Sequence, residues 1–387
     1  MKTRMLKIFT ILFLGTSFIA LANNDPIKEK NRPHRTEHQG AEKKQTIKVA
    51  LLLDTSNSMD GLINQAKAQL WEIVNELSYA KYGIQKPDLQ IALYEYGNDN
   101  LESSDGFVRQ VLSFSSDLDE ISEKLFSLTT RGGQEYCGQV ISSSLKELEW
   151  GKNKNDLRLI FIAGNEPFTQ GKINYKEAIS DAKQKDIIIN TIFCGDYNQG
   201  ISGMWQDGAN LGGGDYMTIN KDKKIVHIET PYDTQIIILN KKLNKTYIFF
   251  GVNGYSKFAN QAVQDSNAEK LAAPVSVKRA VSKSGRLYSN SSWDLVDKSE
   301  KEDVDYSKIE RKQLSKELQN MSDSELKNYV EKQRKIRADI KKQINDLNKK
   351  RTTYIAQKQQ ESMKKNELES VLIKAIKKQA LKKNYSW

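Results

Sequence analysis

The chain has few cysteines and histidines, the residues that most often carry disulfide, nucleophilic and acid–base chemistry near neutral pH. Among its 387 residues are two cysteines and three histidines. It contains no G-x-S-x-G, H-E-x-x-H or P-loop motif, and no pair of titratable residues has a spacing that demands acid–base catalysis. The sequence therefore gives no support to a hydrolase, a zinc protease or a nucleotide-binding enzyme, and we expect the protein not to be an enzyme.

The two cysteines leave two alternatives open. Cys137 follows a Gly-Gly pair, and Cys194 ends an apolar run. In an oxidising compartment they could form one disulfide bond. The alternative is two separate buried thiols, which behave as small apolar side chains. The sequence does not decide between these alternatives.

Long apolar runs are absent after the N-terminus, so no later segment is predicted to span a membrane. Lys2, Arg4 and Lys7 precede a mostly apolar stretch, Ile8–Leu21, that is too short for a comfortable membrane span. These features are typical of a signal peptide that is cleaved after Ala22. The alternative is an uncleaved N-terminal anchor. We expect a periplasmic or secreted protein.

Positive charge is unevenly distributed along the chain. The chain has a formal net charge of +11, yet residues 332–387 alone hold 17 Lys and Arg against 5 Asp and Glu. The rest of the chain is therefore close to neutral, and arguments about anionic partners apply only to this C-terminal segment. Its basic faces are either a solvated helix surface or a contact for an anionic envelope surface. No aromatic residues are interleaved for binding nucleic acid, and we expect no nucleic-acid partner.

One motif points to a metal site. The apolar run Val49–Leu53 leads directly into Asp54, Ser56 and Ser58. An apolar run of this kind is typical of a buried parallel strand, and ligand sites in α/β proteins lie at the carboxyl ends of strands. The following loop would present one carboxylate and two hydroxyls, which are ligands that Mg²⁺, Ca²⁺ and Mn²⁺ prefer. The alternative is an ordinary turn, because Asp, Ser and Asn also favour turns and helix caps.

The D-T-S-N-S sequence resembles the D-x-S-x-S signature of the von Willebrand factor A (VWA) domain with its metal-ion-dependent adhesion site. Strands and helices alternate along the same region, which predicts a parallel sheet with right-handed crossovers. The resemblance implies an α/β, doubly wound, mostly parallel six-stranded sheet. The loops D-T-S-N-S-M, G-G-Q-E-Y-C-G and A-G-N-E-P-F together resemble a subgroup of exported bacterial VWA proteins, a resemblance that implies a fold and a location but no activity.

The second and third loops depart from the family pattern. Gln134 stands where the family usually has Thr, and Gly164 stands where it usually has Asp. Glu135 and Glu166 lie one or two residues from those positions, and either carboxylate could replace a missing ligand. The resemblance then implies a modified site for Mg²⁺ (or Ca²⁺ or Mn²⁺) formed by Asp54, Ser56, Ser58, Glu135 and Glu166. The alternative is a degenerate site in which the glutamates cap helices or form surface ion pairs.

The resemblance also implies a binding mechanism. A cation held by few protein oxygens keeps open coordination positions, and a carboxylate of a partner protein can fill one. We therefore expect an exported module for cation-dependent protein binding or adhesion. The alternative is a structural scaffold with a degenerate metal site that interacts through its basic C-terminal helices.

The C-terminal part of the chain is predicted to be helical. Ser322-x-x-Glu325 is a capping-box pattern, and the apolar residues after it form one narrow stripe. Such a stripe must be buried against another surface, as a helical hairpin or a coiled coil. We predict a helical arm that is separable from the α/β core. The predicted organisation is: flexible linker, 23–45; VWA domain, 46–252; helical connector, 253–299; basic coiled-coil-like extension, 300–387.

Overall fold

A computed structural model of the chain describes residues 44–220, 228–362 and 367–387. The predicted signal peptide and nearly all of the predicted linker lie outside the described residues. Residues 44–387 belong to one compact unit. No helix in the described part of the chain is long and apolar enough to cross a membrane.

Strands and helices alternate in the first half of the described chain, and helices dominate the second half. The strands are β1 Thr46–Asp54, β2 Lys81–Tyr82, β3 Asp88–Tyr96, β4 Val108–Ser115, β5 Leu157–Gly164, β6 Ile188–Phe193, β7 Gly213–Thr218 and β8 Tyr385–Ser386. The helices are α1 Asp60–Leu77, α2 Leu118–Phe126, α3 Cys137–Glu147, α4 Tyr175–Gln184, α5 Tyr197–Ser202, α6 Trp205–Leu211, α7 Asp233–Asn244, α8 Gly254–Leu271, α9 Ala273–Ser284, α10 Leu295–Lys301, α11 Asp323–Ser362 and α12 Glu367–Leu381.

Six strands form one sheet in the order β4-β3-β1-β5-β6-β7. All neighbours are parallel except β3 and β4, which pair antiparallel. Every residue of β5 is buried, because helices cover both faces of the sheet. The prediction of a doubly wound, mostly parallel six-stranded sheet is confirmed.

The sheet divides the apolar core in two. On one face, β1, β3 and β5 pack against apolar residues of α1, α2, α7, α9 and α12. On the other face they pack against α3, α4 and Trp205. Cys137 lies in the second cluster and Cys194 in the first, and both are buried free thiols. Of the two alternatives for the cysteines, separate buried thiols is therefore confirmed.

The C-terminal extension packs against the α/β core. That it can be separated from the core stays a prediction. Helix α11 packs against α7 and α9, and α12 packs against α1. Strand β8 pairs antiparallel with β2. Ile340 and Ile344 of α11, with Leu372 and Ile376 of α12, are thus buried in the core on one face of the sheet rather than in a coiled coil. The capping box is confirmed, since the backbone N–H of Glu325 donates to Ser322 Oγ (3.3 Å) and that of Ser322 donates to Glu325 Oε2 (2.8 Å).

Buried ion pairs fasten α11 to the core. Arg337 is fully buried and donates to carboxylate oxygens of Asp294 (2.5 Å) and Asp297 (2.6 Å). Further along the helix, Arg351 Nε donates to Asp233 Oδ1 (3.0 Å). Two of the cations of α11, Arg337 and Arg351, are therefore neutralised by aspartates of the core and do not contribute to a basic surface.

Candidate metal centre

The candidate site lies at the carboxyl end of β1, which lies between β3 and β5 near the centre of the sheet. Asp54 is the last residue of β1 and is in register with Tyr96 of β3, while Leu53 is in register with Ala163 of β5. The loops after these three strands therefore leave the sheet side by side, as parallel topology requires. The loop between α2 and α3 joins them, since the Arg131 N–H donates to Thr55 O (2.9 Å).

Asp54 is fully buried, and only one of its two carboxylate oxygens accepts a hydrogen bond. Its Oδ1 accepts the backbone N–H of Ser56 at 2.7 Å, but its buried Oδ2 has no hydrogen-bond partner among the described residues. Burial, together with the neighbouring Glu135 carboxylate, raises the pKa of Asp54 well above its usual range. Two carboxyl groups that meet in a buried site favour a cation or a shared proton between them.

Glu135 enters the site because a glycine makes room for it. Gly97, in the turn after β3, has φ of +77°, and a Cβ added there would lie 2.7 Å from Glu135 Cγ and 3.0 Å from Asp54 Oδ1. Glu135 is buried, and its Oε2 accepts the backbone N–H of Glu166 (3.3 Å). Gln134, at the family's Thr position, is exposed and accepts a hydrogen bond from the Tyr136 hydroxyl.

The third loop has no room for a side chain at residue 164, where the family usually has Asp. A Cβ added at Gly164 would lie 2.5 Å from Tyr96 Oη and 3.2 Å from Asp54 Oδ2. The Tyr96 hydroxyl is fixed there because it donates to Ala163 O at 2.9 Å. The Glu166 side chain accepts from Gln170 Nε2 (3.1 Å) instead. The structure therefore favours Glu135 over Glu166 as the replacement carboxylate.

The two serine hydroxyls lie close together in the loop after β1. Ser56 Oγ and Ser58 Oγ are 3.4 Å apart, and Ser58 Oγ donates to Asn165 Oδ1 at 3.0 Å. Ser56 is buried, whereas Ser58 is exposed. Asn165 was missed as a site residue, although it stands in the third loop beside the glycine that replaces the family's Asp. Its amide oxygen adds one more neutral oxygen at this edge.

The donor set is made of oxygen atoms. In the described part of the chain, no group of three or more His, Cys, Asp or Glu residues could hold a metal ion. Two carboxylates, two hydroxyls and water nevertheless form an acceptable set for Mg²⁺ or Ca²⁺. The unpartnered Oδ2 of Asp54 beside Glu135 fits such a cation better than it fits a structural role, because an unpaired buried acceptor is costly.

Residues 48–203 match the family model of the von Willebrand factor type A domain. The chain contains a VWA domain. The match spans the sheet from β1 to β6 and includes all three loops of the site. Where the VWA domain ends, predicted at residue 252, stays a prediction. No curated protein matches the chain significantly.

Solved structures of VWA-type proteins resemble this region only distantly. BatB from Bacteroides thetaiotaomicron is 18% identical, with 45% of this chain and 90% of that chain covered and a TM-score of 0.34. An aerotolerance-related membrane protein from Bacteroides fragilis is 16% identical, with 46% and 93% covered and a TM-score of 0.31. Proximal thread matrix protein 1 from the mussel byssus, solved with a zinc-occupied MIDAS motif, is 13% identical, with 46% and 43% covered and a TM-score of 0.34.

Proposed function

We propose that the chain is a VWA binding module that holds a divalent cation and uses it to bind a carboxylate of a partner protein. The observation that carries this proposal is the buried Oδ2 of Asp54, which has no hydrogen-bond partner among the described residues and lies beside the Glu135 carboxylate. A cation there would satisfy Asp54 and neutralise the repulsion between the two acids.

In this proposal each residue has a separate part. Asp54, Ser56, Ser58 and Glu135 hold the cation, which is Mg²⁺, Ca²⁺ or Mn²⁺ because all the donors are oxygens. When bound, the cation supplies a positive charge with an open coordination position. The Glu166 N–H orients Glu135, and Asn165 orients the Ser58 hydroxyl on the exposed side, where a partner carboxylate would enter.

Export and binding without catalysis belong to the same proposal. The N-terminal sequence favours a cleaved signal peptide and hence a periplasmic or secreted protein. The oxygen-only site has no nucleophile paired with a base, so binding accounts for its residues better than a reaction does.

Calorimetric titration of Mg²⁺, Ca²⁺ and Mn²⁺ tests the proposal. We expect saturable binding and a cation-dependent rise in melting temperature for the wild type, and neither for Asp54→Asn. Asp181→Asn is the matched control, because Asp181 is exposed on α4, away from the three loops. Glu135→Gln should weaken affinity more than Glu166→Gln. A wild type that gives neither heat nor a rise in melting temperature supports the alternative of a scaffold with a degenerate site.

A further inference from the structure

A small two-stranded sheet, β2 with β8, lies at the end of the molecule opposite the candidate metal centre. Strand β2 precedes β3, whose first residue, Asp88, is in register with Thr46 at the start of β1. Because β1 has nine residues, about 30 Å of extended strand separates this end from Asp54. Strand β8 follows α12, and the Tyr385 hydroxyl donates to Asn155 O (2.8 Å) in the loop before β5. We call the surface formed here by residues 79–86, 152–155 and 381–387 the basal surface.

Ile84 is fully exposed on the basal surface, at 100% of its area. It lies in the turn 82–85, which is closed by two backbone hydrogen bonds of 2.8 and 3.0 Å. The segment is held at its base by Arg286, which donates to Ser78 O (2.9 Å) before the turn and to Pro87 O (2.8 Å) after it. A preformed turn therefore presents an isoleucine to the solvent, and burial of this side chain in an apolar environment would be favourable.

Other large apolar and aromatic side chains of the basal surface are also accessible. Leu381 is 63% exposed and Tyr79 is 57% exposed. Trp387 is partly exposed, and its Nε1 donates to Glu76 O (3.1 Å) near the end of α1. Tyr and Trp are enriched where a membrane meets water, because each ring combines an apolar body with a polar tip. The basal surface thus joins exposed aliphatic side chains to the two residue types that favour a membrane interface.

Positive charge surrounds these apolar side chains. Five exposed lysines in the basal surface form no ion pair within the described part of the chain: Lys81, Lys86, Lys152, Lys154 and Lys382. Two acids nearby are neutralised, since Asp88 pairs with Lys44 and Asp186 pairs with Lys383. Glu149, just before the lysines of the loop that precedes β5, is the exposed acid that remains. The basal surface is therefore positive and attracts an anionic partner.

The combination of charge and exposed apolar side chains fits an anionic bilayer better than other polyanions. Nucleic acids and acidic polysaccharides offer negative charge but no hydrocarbon layer for Ile84 and Leu381. A bilayer offers phosphate groups to the lysines and acyl chains beneath those phosphates.

We propose that the basal surface binds an anionic phospholipid membrane, with Ile84 entering the boundary between headgroups and acyl chains and the lysines contacting lipid phosphates. The contact uses no residue of the candidate metal centre, so it is independent of the proposed function. Because the basal surface and Asp54 lie at opposite ends of β1, membrane binding leaves the three loops of the metal centre facing away from the bilayer.

Flotation of the protein with lipid vesicles tests this proposal. The vesicles contain either phosphatidylcholine alone or equal parts of phosphatidylcholine and phosphatidylglycerol. We expect at least fivefold more protein on the anionic vesicles, and less as added salt screens the lysines. Ile84→Ser should weaken binding to the anionic vesicles at least fivefold, because it removes the inserted side chain. The double substitution Lys81→Glu with Lys86→Glu should weaken it by at least as much, because it reverses two charges beside Ile84.

Matched controls lie at the other end of the sheet. Ile201→Ser is the control for Ile84→Ser, because Ile201 is an exposed isoleucine of α5, which follows the carboxyl end of β6. Lys172→Glu with Lys176→Glu is the control for the double lysine variant, because both lysines are exposed near the start of α4, after the carboxyl end of β5. Both control variants should bind the anionic vesicles as the wild type does.

Trp387 reports which surface contacts the membrane. Four of the five tryptophans of the chain are buried, and Trp387 is partly exposed. Brominated phosphatidylcholine quenches the fluorescence of an indole that reaches the bilayer. Anionic vesicles that contain it should therefore quench part of the wild-type fluorescence and none of the fluorescence of Trp387→Phe.

Three results would overturn the proposal. Equal binding to neutral and anionic vesicles, or binding to neither, would show that the lysines do not select an anionic bilayer. Wild-type binding by Ile84→Ser would show attraction by charge alone, which a nucleic acid or an acidic polysaccharide would satisfy equally well. Binding without quenching would place the contact on another surface, such as the exposed lysines of α11.

Discussion

The guanidinium carbon of Arg337 lies 4.1 Å from the centre of the Tyr247 ring, in the contact between α11 and the segment that follows α7. Arg337 also donates to Thr246 O (2.6 Å) and to two aspartates, so every side of its guanidinium is occupied by the core. If Arg337 is removed, the two buried aspartate carboxylates lose the cation that neutralises them. The stability of the extension therefore depends on the buried charge of Arg337, although this residue stands in a strongly basic helix.

Replacing Arg337 by Ala should lower the free energy of unfolding by about 3–5 kcal/mol, because the substitution leaves Asp294 and Asp297 buried and unpaired. Urea denaturation measures the change. Arg334→Ala is the control: Arg334 pairs with Glu331 on the surface of the same helix, and its loss should cost about 0–1 kcal/mol. Equal effects of the two substitutions would contradict the importance of the buried cluster.

Removing α11 and everything after it should destabilise the VWA core rather than release it. Apolar residues of α1, α7 and α9 that now pack against the extension would be exposed to water. We expect a chain that stops at residue 321 to aggregate or to lose its cooperative thermal transition, followed by near-ultraviolet circular dichroism. A truncated chain that keeps a sharp transition at the wild-type temperature would instead support the separable arm.

Asp265 should make stability dependent on acid pH. Burial alone would raise its pKa, but the charges of Lys283 and Arg279 outweigh burial and hold the pKa of Asp265 well below its usual range. Because the folded-state pKa is the lower one, this stabilisation is present above about pH 4, near the unfolded-state pKa, and is lost as pH falls below it. Asp265→Asn should be less stable at pH 7, and the difference from wild type should shrink toward pH 2. A constant difference across that range would show that Asp265 does not carry the effect.

Restoring the family's Asp at residue 164 should not improve the metal site. Even Gly164→Ala places a Cβ 2.5 Å from Tyr96 Oη, so we expect a loss of about 1–3 kcal/mol from overpacking. In a Tyr96→Phe background, which lacks the hydroxyl, the same substitution should cost less. The double-mutant cycle measures this coupling. Costs that simply add would show that the Tyr96 hydroxyl is not what excludes a side chain at residue 164.

The sequence predicted the sheet and the first loop of the site because both depend on local patterns. The apolar run of β1 and the three residues Asp54, Ser56 and Ser58 are contiguous, and alternation of strands and helices determines a parallel sheet. Which of the two glutamates lies beside Asp54 could not be predicted. It depends on Gly97 and Tyr96, which reach the site from β3, some forty residues earlier in the chain.

The extension shows the same limit. Ile336 of α11 is 39% exposed in the structure, whereas Arg337 beside it is fully buried. Helical spacing cannot identify a buried arginine, because the acids that stabilise it lie about forty residues earlier in sequence. Residue type alone therefore does not show which of these two neighbours faces the core.

The two buried cysteines have a practical consequence. Cys137 and Cys194 are shielded on opposite faces of one sheet, so a thiol reagent reaches each of them only when the helices on its own face come away. In single-cysteine variants, the rate of labelling then times the opening of each face separately. The labelling rate of Cys137 thus reports the opening of the face covered by α3 and α4, and the labelling rate of Cys194 reports the opening of the face covered by the extension.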